Sequence, residues 1–401
     1  MSDWKIYTIS EACKRFSSGK GITASQIFEI GAYPVFGGNG IRGYTDAYNF
    51  EGECAIIGRQ GAYCGNTKYF CGKAYMTEHA IVATANDEHN IGYIANLLSI
   101  MNLGQYQGQS AQPGLSVNTL SKIELKLPDK KTQDSIFSLL SALDKKIALN
   151  EQINTRLEEM AKTLYDYWFV QFDFPDANGK PYKSSGGEMV FDETLKREIP
   201  KGWEVKSLGE VITHSTTGLN PRDNFSLGNG ENFYVTIKNI KDNEIKFHTC
   251  AKITDEALNV INKRSKLDKG DILFTSIEPI GSTYLLHEKP KNWDINESVF
   301  SIRSKSDFIT PYFLFMLLSS DEIKSFTRQV STGSVHKGIR HESLKRFTFA
   351  YSGIDLIKNF TNLISPMQQN IFFLQKQNHH LTQLRDFLLP MLMNGQVSVA
   401  E

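Results

Sequence analysis

Residues 203–219 read WEVKSLGEVITHSTTGL, and the chain opens with the same pattern at residues 4–20, WKIYTISEACKRFSSGK. A shift of 199 residues places Ile6 on Val205, Ile9 on Leu208, Glu11 on Glu210 and Gly19 on Gly218. A second match lies further on at a shift of 224 residues, where QSAQPGLSVNTL (109–120) falls on GSVHKGIRHESL (333–344). Gly114 then meets Gly338 and Leu120 meets Leu344, and the same shift carries Ile147 to Ile371, Asn154 to Asn378 and Leu164 to Leu388. An internal repeat organises the fold. Its second copy is longer in the middle by 25 residues.

Each copy has the same order, a strand-rich globule and then a long helix. Short apolar runs such as CAIIGR, HAIVATA, YVTIKNI, DILFTSI and SVFSIRS, bounded by Gly, Asn and Asp, read as strands. The helical patterns IGYIANLLSIM (91–101) and YFLFMLLSSDEIKSF (312–326) interrupt them at corresponding places. The expected fold class is α/β (α+β), with two pseudo-symmetric globules joined by two long antiparallel coiled-coil helices. In the first helix Leu140, Leu143, Ile147, Asn150, Asn154, Leu157, Ala161, Leu164 and Trp168 advance in steps of 3 and 4, a coiled-coil seam. In the second, Ile364, Met367, Ile371, Leu374, Asn378, Leu381, Arg385, Leu388 and Leu392 do the same. Pro128 precedes a helix start near Thr132, and Pro390 is expected to kink the last turns of the second helix. Asn154 and Asn378 hold equivalent seam positions, where a polar residue specifies register.

This reading divides the chain into globule 1 (1–130), a central helix (131–170), a linker (171–202), globule 2 (203–352) and a C-terminal helix (353–396). From residue 140 to 168 a helix rising about 1.5 Å per residue spans roughly 42 Å. Two globules so spaced could each face a DNA groove about one turn apart, since the duplex repeats about every 34–36 Å.

Composition excludes several classes. Lys plus Arg equals Asp plus Glu, at 44 each, so bulk positive charge does not attract nucleic acid. The chain lacks a run of 18 apolar residues, and the opening MSDWKIYTIS lacks a secretory layout, so a cytoplasmic protein without membrane association is expected. Cys13, Cys54, Cys64, Cys71 and Cys250 form no C-x-x-C pair, which argues against a structural disulfide and a zinc site; no metal is expected. Residues 33–44, YPVFGGNGIRGY, place Gly38, Gly40 and Gly43 in the spacing of a dinucleotide fingerprint. No helical period follows and Gln60 stands where an acid should be, so a glycine turn between two strands fits better.

The segment between the copies, YDYWFVQFDFPDANGKPYKSSGGEMVFDETLKREIPKGWEVKSLGEV (165–211), resembles the central region of specificity subunits of type I restriction-modification enzymes. Three parts carry the match: NGKPYKSSGG at 178–187, EIPKGW at 198–203 and W-x-V-x-x-L-G-E at 203–210. The resemblance extends over essentially the whole chain, although the first copy lacks the L-G-E form. It implies a non-catalytic DNA sequence-recognition subunit that binds an asymmetric bipartite site and positions two methyltransferase subunits, and restriction subunits where the system cleaves. Adenine-N6 methylation with S-adenosylmethionine, and ATP- and Mg-dependent cleavage, would then belong to partners. This chain has neither N/D-P-P-Y nor a Walker G-x-x-x-x-G-K-[ST]. Two other readings stay open at this level: a separately expressed specificity part of a single-chain (type IIB/IIG-like) restriction-methylation enzyme, and a stand-alone DNA-binding regulator.

Base readout calls for side chains able to make paired hydrogen bonds. In copy one the candidates are Asn39 and Arg42 in the glycine loop, Arg59 and Gln60 in GRQGAYCG, and Gln109, Ser110 and Gln112 in GQSAQPG, with Tyr63 for packing and Lys68 for phosphate. In copy two they are Thr217, Arg222, Lys238, Asn239, Ser276, Ser334, His336, Lys337 and Arg340. No catalytic residue is expected: His336 lacks a nucleophile or carboxylate beside it, and Asp144, Glu151, Glu158 and Glu159 are expected to solvate the helix. Apolar residues off the seam are expected to dock the methyltransferase subunits: Tyr165, Tyr167, Phe169, Phe372, Phe373 and Phe387, joined by Leu149, Ile153, Leu389 and Met393.

Overall fold

The computed structural model describes residues 4–61, 64–108, 114–222, 224–331 and 338–399. The chain divides into two compact units, one built from residues up to 149 together with those from 378 onward, the other from residues 150–377. The division falls inside both long helices, Lys130–Tyr165 and Ile354–Met393.

The repeat first shows itself at the start of each copy. The Thr8 side chain accepts from the Glu11 amide while Glu11 reaches back to the Thr8 amide at 2.7 Å, a capping box that starts the short helix Ile9–Ala12. Ser207 and Glu210 form the same box, again at 2.7 Å, at the head of Leu208–Val211. A hydroxyl, two spacers and a glutamate satisfy two backbone donors that a helix start leaves open. Lys5–Thr8 pairs antiparallel with Glu124–Leu127, and Glu204–Ser207 pairs likewise with Thr348–Tyr351.

In the first unit a sheet runs in the order Cys13–Ser18, Ala80–Ala85, Phe50–Gly58, Thr67–Met76, Tyr33–Gly37, Gly40–Thr45. Its pairings are antiparallel apart from the parallel contact of Tyr33–Gly37 with Thr67–Met76. Ile57, Ile81 and Ala83 pack with helix Ile91–Ile100 in one core, and Cys54, Ile56 and Val82 face a second core with Phe36 and Met76. Alternation along each strand sends neighbouring residues to opposite faces, and both faces are covered.

The second unit repeats this plan with the sheet Ile212–Thr217, Val299–Ser304, Ile272–Thr275, Thr283–Leu285 and helix Pro311–Ser319 against it. Where the first unit has the hairpin of Tyr33–Gly37 and Gly40–Thr45, the second carries a longer insert. That insert holds the strands Asn232–Val235 and Ala251–Ile253, which pair with each other, and helix Asp255–Ser265.

The helix seams follow the heptad reading. Leu140, Asn150, Asn154, Ala161 and Trp168 are buried on the first helix, as are Ile364, Ile371, Leu374 and Leu392 on the second. Within each unit the two helix portions run antiparallel. In the first, Arg385 pairs with Asp144 at 2.9 Å and Asn378 Nδ2 donates to Ile147 O at 3.2 Å. In the second, Asn150 Nδ2 donates to Gln377 Oε1 at 2.8 Å, and at the other end Trp168 packs its ring on Phe360. Helix starts at Lys130, two residues before the expected start, because Asp129 caps it by accepting from the Thr132 amide at 3.0 Å. The second helix continues through Pro390 to Met393.

Residues 171–202, expected as a linker, are folded. Met189–Asp192 and Arg197–Pro200 form a hairpin, and Trp203 stacks on Phe174 and meets Phe172 edge-on. The aromatic side chains of this segment give it a small core of its own, with Ile199 and Ala350.

Candidate nucleic-acid interface

The glycine stretch is a hairpin turn. Gly38 and Asn39 connect the paired Gly37 and Gly40, and Gly40 sits at φ +96°, a conformation that favours glycine. Gly38 lies so close to its surroundings that an added Cβ would stand 2.8 Å from the Gln60 carbonyl oxygen. Asn39 and Arg42 are exposed, and the Arg42 stem lies over Gly37.

Around this turn several loops converge. The Arg59 amide donates to His79 O at 2.9 Å, and the Leu115 amide donates to Arg59 O at 2.9 Å. Gln60 bridges to Gly114. The Arg59 side chain is half-buried and fixed at two points, with Nε on Leu115 O at 3.0 Å and Nη1 on Ser18 Oγ at 3.3 Å. The structure thus brings Asn39, Arg59 and Gln60 to one junction. Lys68 is exposed one strand over, opposite Ile56. Tyr63, Gln109, Ser110 and Gln112 lie outside the described residues.

The second unit builds the same junction. The Ser276 amide donates to Ser298 O at 2.9 Å, the Ile339 amide donates to Ser276 O at 2.8 Å, and Ile277 bridges to Gly338. Bond for bond, Ser276 stands where Arg59 stands and Ile339 where Leu115 stands, so the alignment of QSAQPG with GSVHKG holds in space at the residue that closes each loop. Ser334, His336 and Lys337 lie outside the described residues. Arg222, Lys238 and Arg340 are exposed, as readers must be.

Three expected readers do not project. Asn239 is 4% exposed, its Oδ1 accepting from the Thr236 amide at 2.7 Å and its Nδ2 donating to Thr249 Oγ1 at 2.9 Å. It caps a tight turn, and its paired hydrogen-bonding groups are spent on the fold. Ser276 is buried and donates to Ser298 O at 2.8 Å; Thr217 is buried at the end of its strand and accepts from Arg264 Nη2 at 3.4 Å. Sequence reasoning passed over Arg264 and His341. The His341 ring stacks on Phe300 at 3.7 Å and shares a 2.5 Å hydrogen bond with Ser215, and burial holds it below the usual imidazole range. Both residues reach their partners across long stretches of chain, which no local pattern signals.

Asp144, Glu151 and Glu159 are exposed, whereas Glu158 is half-buried and burial raises its pKa. The aromatic docking set also changes. Tyr165 and Phe169 are core residues, packed ring to ring with Phe313 and Phe360, because helices Pro311–Ser319 and Ile354–Met393 close over them. Tyr167 and Ile153 are half-buried, Phe372 is half-buried and stacked on His287 at 4.5 Å, Leu389 is half-buried, and Met393 is buried. Phe373 at 61% and Phe387 at 63% remain exposed, as does Leu149. Among the described residues no cluster of His, Cys, Asp and Glu could hold a metal ion, and no helix is long and apolar enough to cross a membrane.

Residues 1–159 and 200–351 match the sequence profile described as "Type I restriction modification DNA specificity domain". The chain is similar to the type I restriction enzyme EcoprrI specificity subunit of Escherichia coli, 42% identical over 144 residues, a match that spans about a third of both (35% of this chain and 36% of that one). It is also similar to the MjaIX specificity subunit of Methanocaldococcus jannaschii, 24% identical over 77% of this chain and 69% of the relative. Among solved structures, the S subunit of a type I restriction-modification system from M. genitalium shares the fold, with a TM-score of 0.66 over 98% of this chain and 96% of that one at 15% identity.

Proposed function

The chain belongs to the type I restriction-modification DNA specificity family, a family of DNA sequence-recognition subunits, and we propose that it reads an asymmetric, bipartite DNA site, one half with each unit. The supporting observation is the duplicated junction: Arg59 with Leu115 and Ser276 with Ile339 repeat one backbone frame, while the side chains mounted on it differ. A shared frame with dissimilar loops suits two halves that recognise different bases.

On this reading the chain performs no chemistry. It positions two methyltransferase subunits, whose S-adenosylmethionine site would receive an adenine flipped from the duplex. Restriction subunits with ATP and Mg would act on the same assembly in the cytoplasm. Asn39, Arg42, Gln60 and Lys68 would contact DNA from the first unit, and Arg222, Lys238 and Arg340 from the second. Phe373 and Phe387 are the remaining aromatic positions for partner docking.

Mapping methylated adenines by single-molecule sequencing in a host carrying this chain and its methyltransferase tests the proposal. A split motif is expected, and a continuous motif overturns it. Exchanging residues 203–352 for those of a relative should change one half-site only.

A further inference from the structure

The two junctions agree in one detail that their sequences do not share. In the first unit a guanidinium, from Arg59, rests on the hydroxyl of Ser18, the last residue of strand Cys13–Ser18. In the second unit the residue in the Arg59 position is Ser276, whose short side chain turns back onto Ser298 O. Yet the hydroxyl equivalent to that of Ser18, on Thr217 at the end of strand Ile212–Thr217, also carries a guanidinium. It comes from Arg264, on a helix of the insert to which the first unit has no counterpart.

The equivalence of Ser18 and Thr217 rests on backbone pairing. Ser18 faces Ile81 and Thr217 faces Phe300, in strands whose first residues, Ala80 and Val299, pair with Gly58 and Thr275. Arg264 is held in place by its neighbour. The Ser265 carbonyl accepts from Thr216 Oγ1 at 2.9 Å, and its hydroxyl donates to Asp294 Oδ2 at 2.7 Å inside the core. The guanidinium at this strand end thus comes from a different element in each unit. The requirement met there is positional and common to both units.

The half-sites differ in bases and share the sugar–phosphate backbone. The geometry points to Arg59 and Arg264 as equivalent phosphate anchors, each guanidinium braced on a strand-end hydroxyl and contacting one DNA phosphate to set the register of its half-site. This assignment rests on the DNA-reading function proposed above. Arg264 is exposed, and among the described residues most of its donors have no partner, as has Arg59 Nη2, which leaves them for an incoming oxygen.

The test uses the full chain with its methyltransferase subunit, a duplex carrying the site selected from a randomised pool, and a duplex of unrelated sequence. Affinity is measured over a salt series for wild type, R59A, R264A and R264K. Each alanine variant is expected to weaken both duplexes by the same factor and to lower the slope of log affinity against log salt by about 1, while R264K keeps the slope. Relaxed discrimination at one base pair with the slope unchanged would overturn the assignment in favour of base readout. Unchanged affinity and slope in folded R264A would also overturn it and leave a structural role. If wild type selects no site at all, the function proposed above fails, a result distinct from either.

Discussion

Asn150 and Gln377 meet across the helix pair of the second unit, Nδ2 to Oε1 at 2.8 Å, with Asn150 fully buried. A hydrogen bond in an apolar seam costs little when both partners are present and a great deal when one is removed. We expect Asn150→Ala to destabilise the chain by about 1–3 kcal/mol, and Asn150→Ala with Gln377→Ala to cost less than the sum of the two single changes. Denaturant titration of the four proteins measures the coupling, and strict additivity would show that the bond carries no weight.

Phe360 is fully buried between Tyr165, Trp168 and Phe169. Phe360→Ala should cost about 3–5 kcal/mol, the range for truncating a core aromatic. A loss below about 1 kcal/mol would mean that the surrounding rings collapse into the space.

Asp294 is fully buried, accepts from Ser265 Oγ and the Ile295 amide, and has its pKa pushed up to about 7 by burial. The folded state therefore holds this proton more tightly than the unfolded chain does. Its contribution to stability is complete below the ordinary aspartate range near 4 and is lost as pH rises to about 7. Asp294→Asn should flatten that part of the pH–stability curve and exceed wild type in stability above pH 7. Parallel curves for the two proteins between pH 4 and 7 would contradict it.

Gly38 and Asn39 separate fold from readout within one turn. Gly38→Ala would drive a Cβ to 2.8 Å from Gln60 O, so it should shift the turn and lower stability, typically by about 1–3 kcal/mol for such overpacking. Asn39 is exposed, and Asn39→Ala should change stability by no more than about 0.5 kcal/mol while altering DNA discrimination. Thermal unfolding beside a binding assay distinguishes the two effects.

Phe373→Asp and Phe387→Asp replace exposed rings, so each variant should fold normally. Loss of co-purification with the methyltransferase subunit is expected, and intact assembly in both would remove these residues from the docking surface.

Much of the architecture was legible from residue order because it depends on local periods. Seam positions such as Leu140, Ala161, Ile364 and Ile371 are buried as their spacing requires. The site was only partly legible. Asn39 and Arg340 are exposed as expected, but Asn239 has the right chemistry for base readout and spends it on Thr236 and Thr249.

The amino-acid sequence alone determined the duplication, the helices and the turn at Gly38, because repeat, period and glycine geometry are properties of neighbouring residues. Tertiary structure alone decided which aromatic side chains stay at the surface and which arginine serves each junction. Tyr165 and Phe169 vanish into a core closed by helices far along the chain, and Arg264 reaches Thr217 across 47 residues. Burial and long-range hydrogen bonding depend on what folds over a residue, and spacing along the chain carries no record of that.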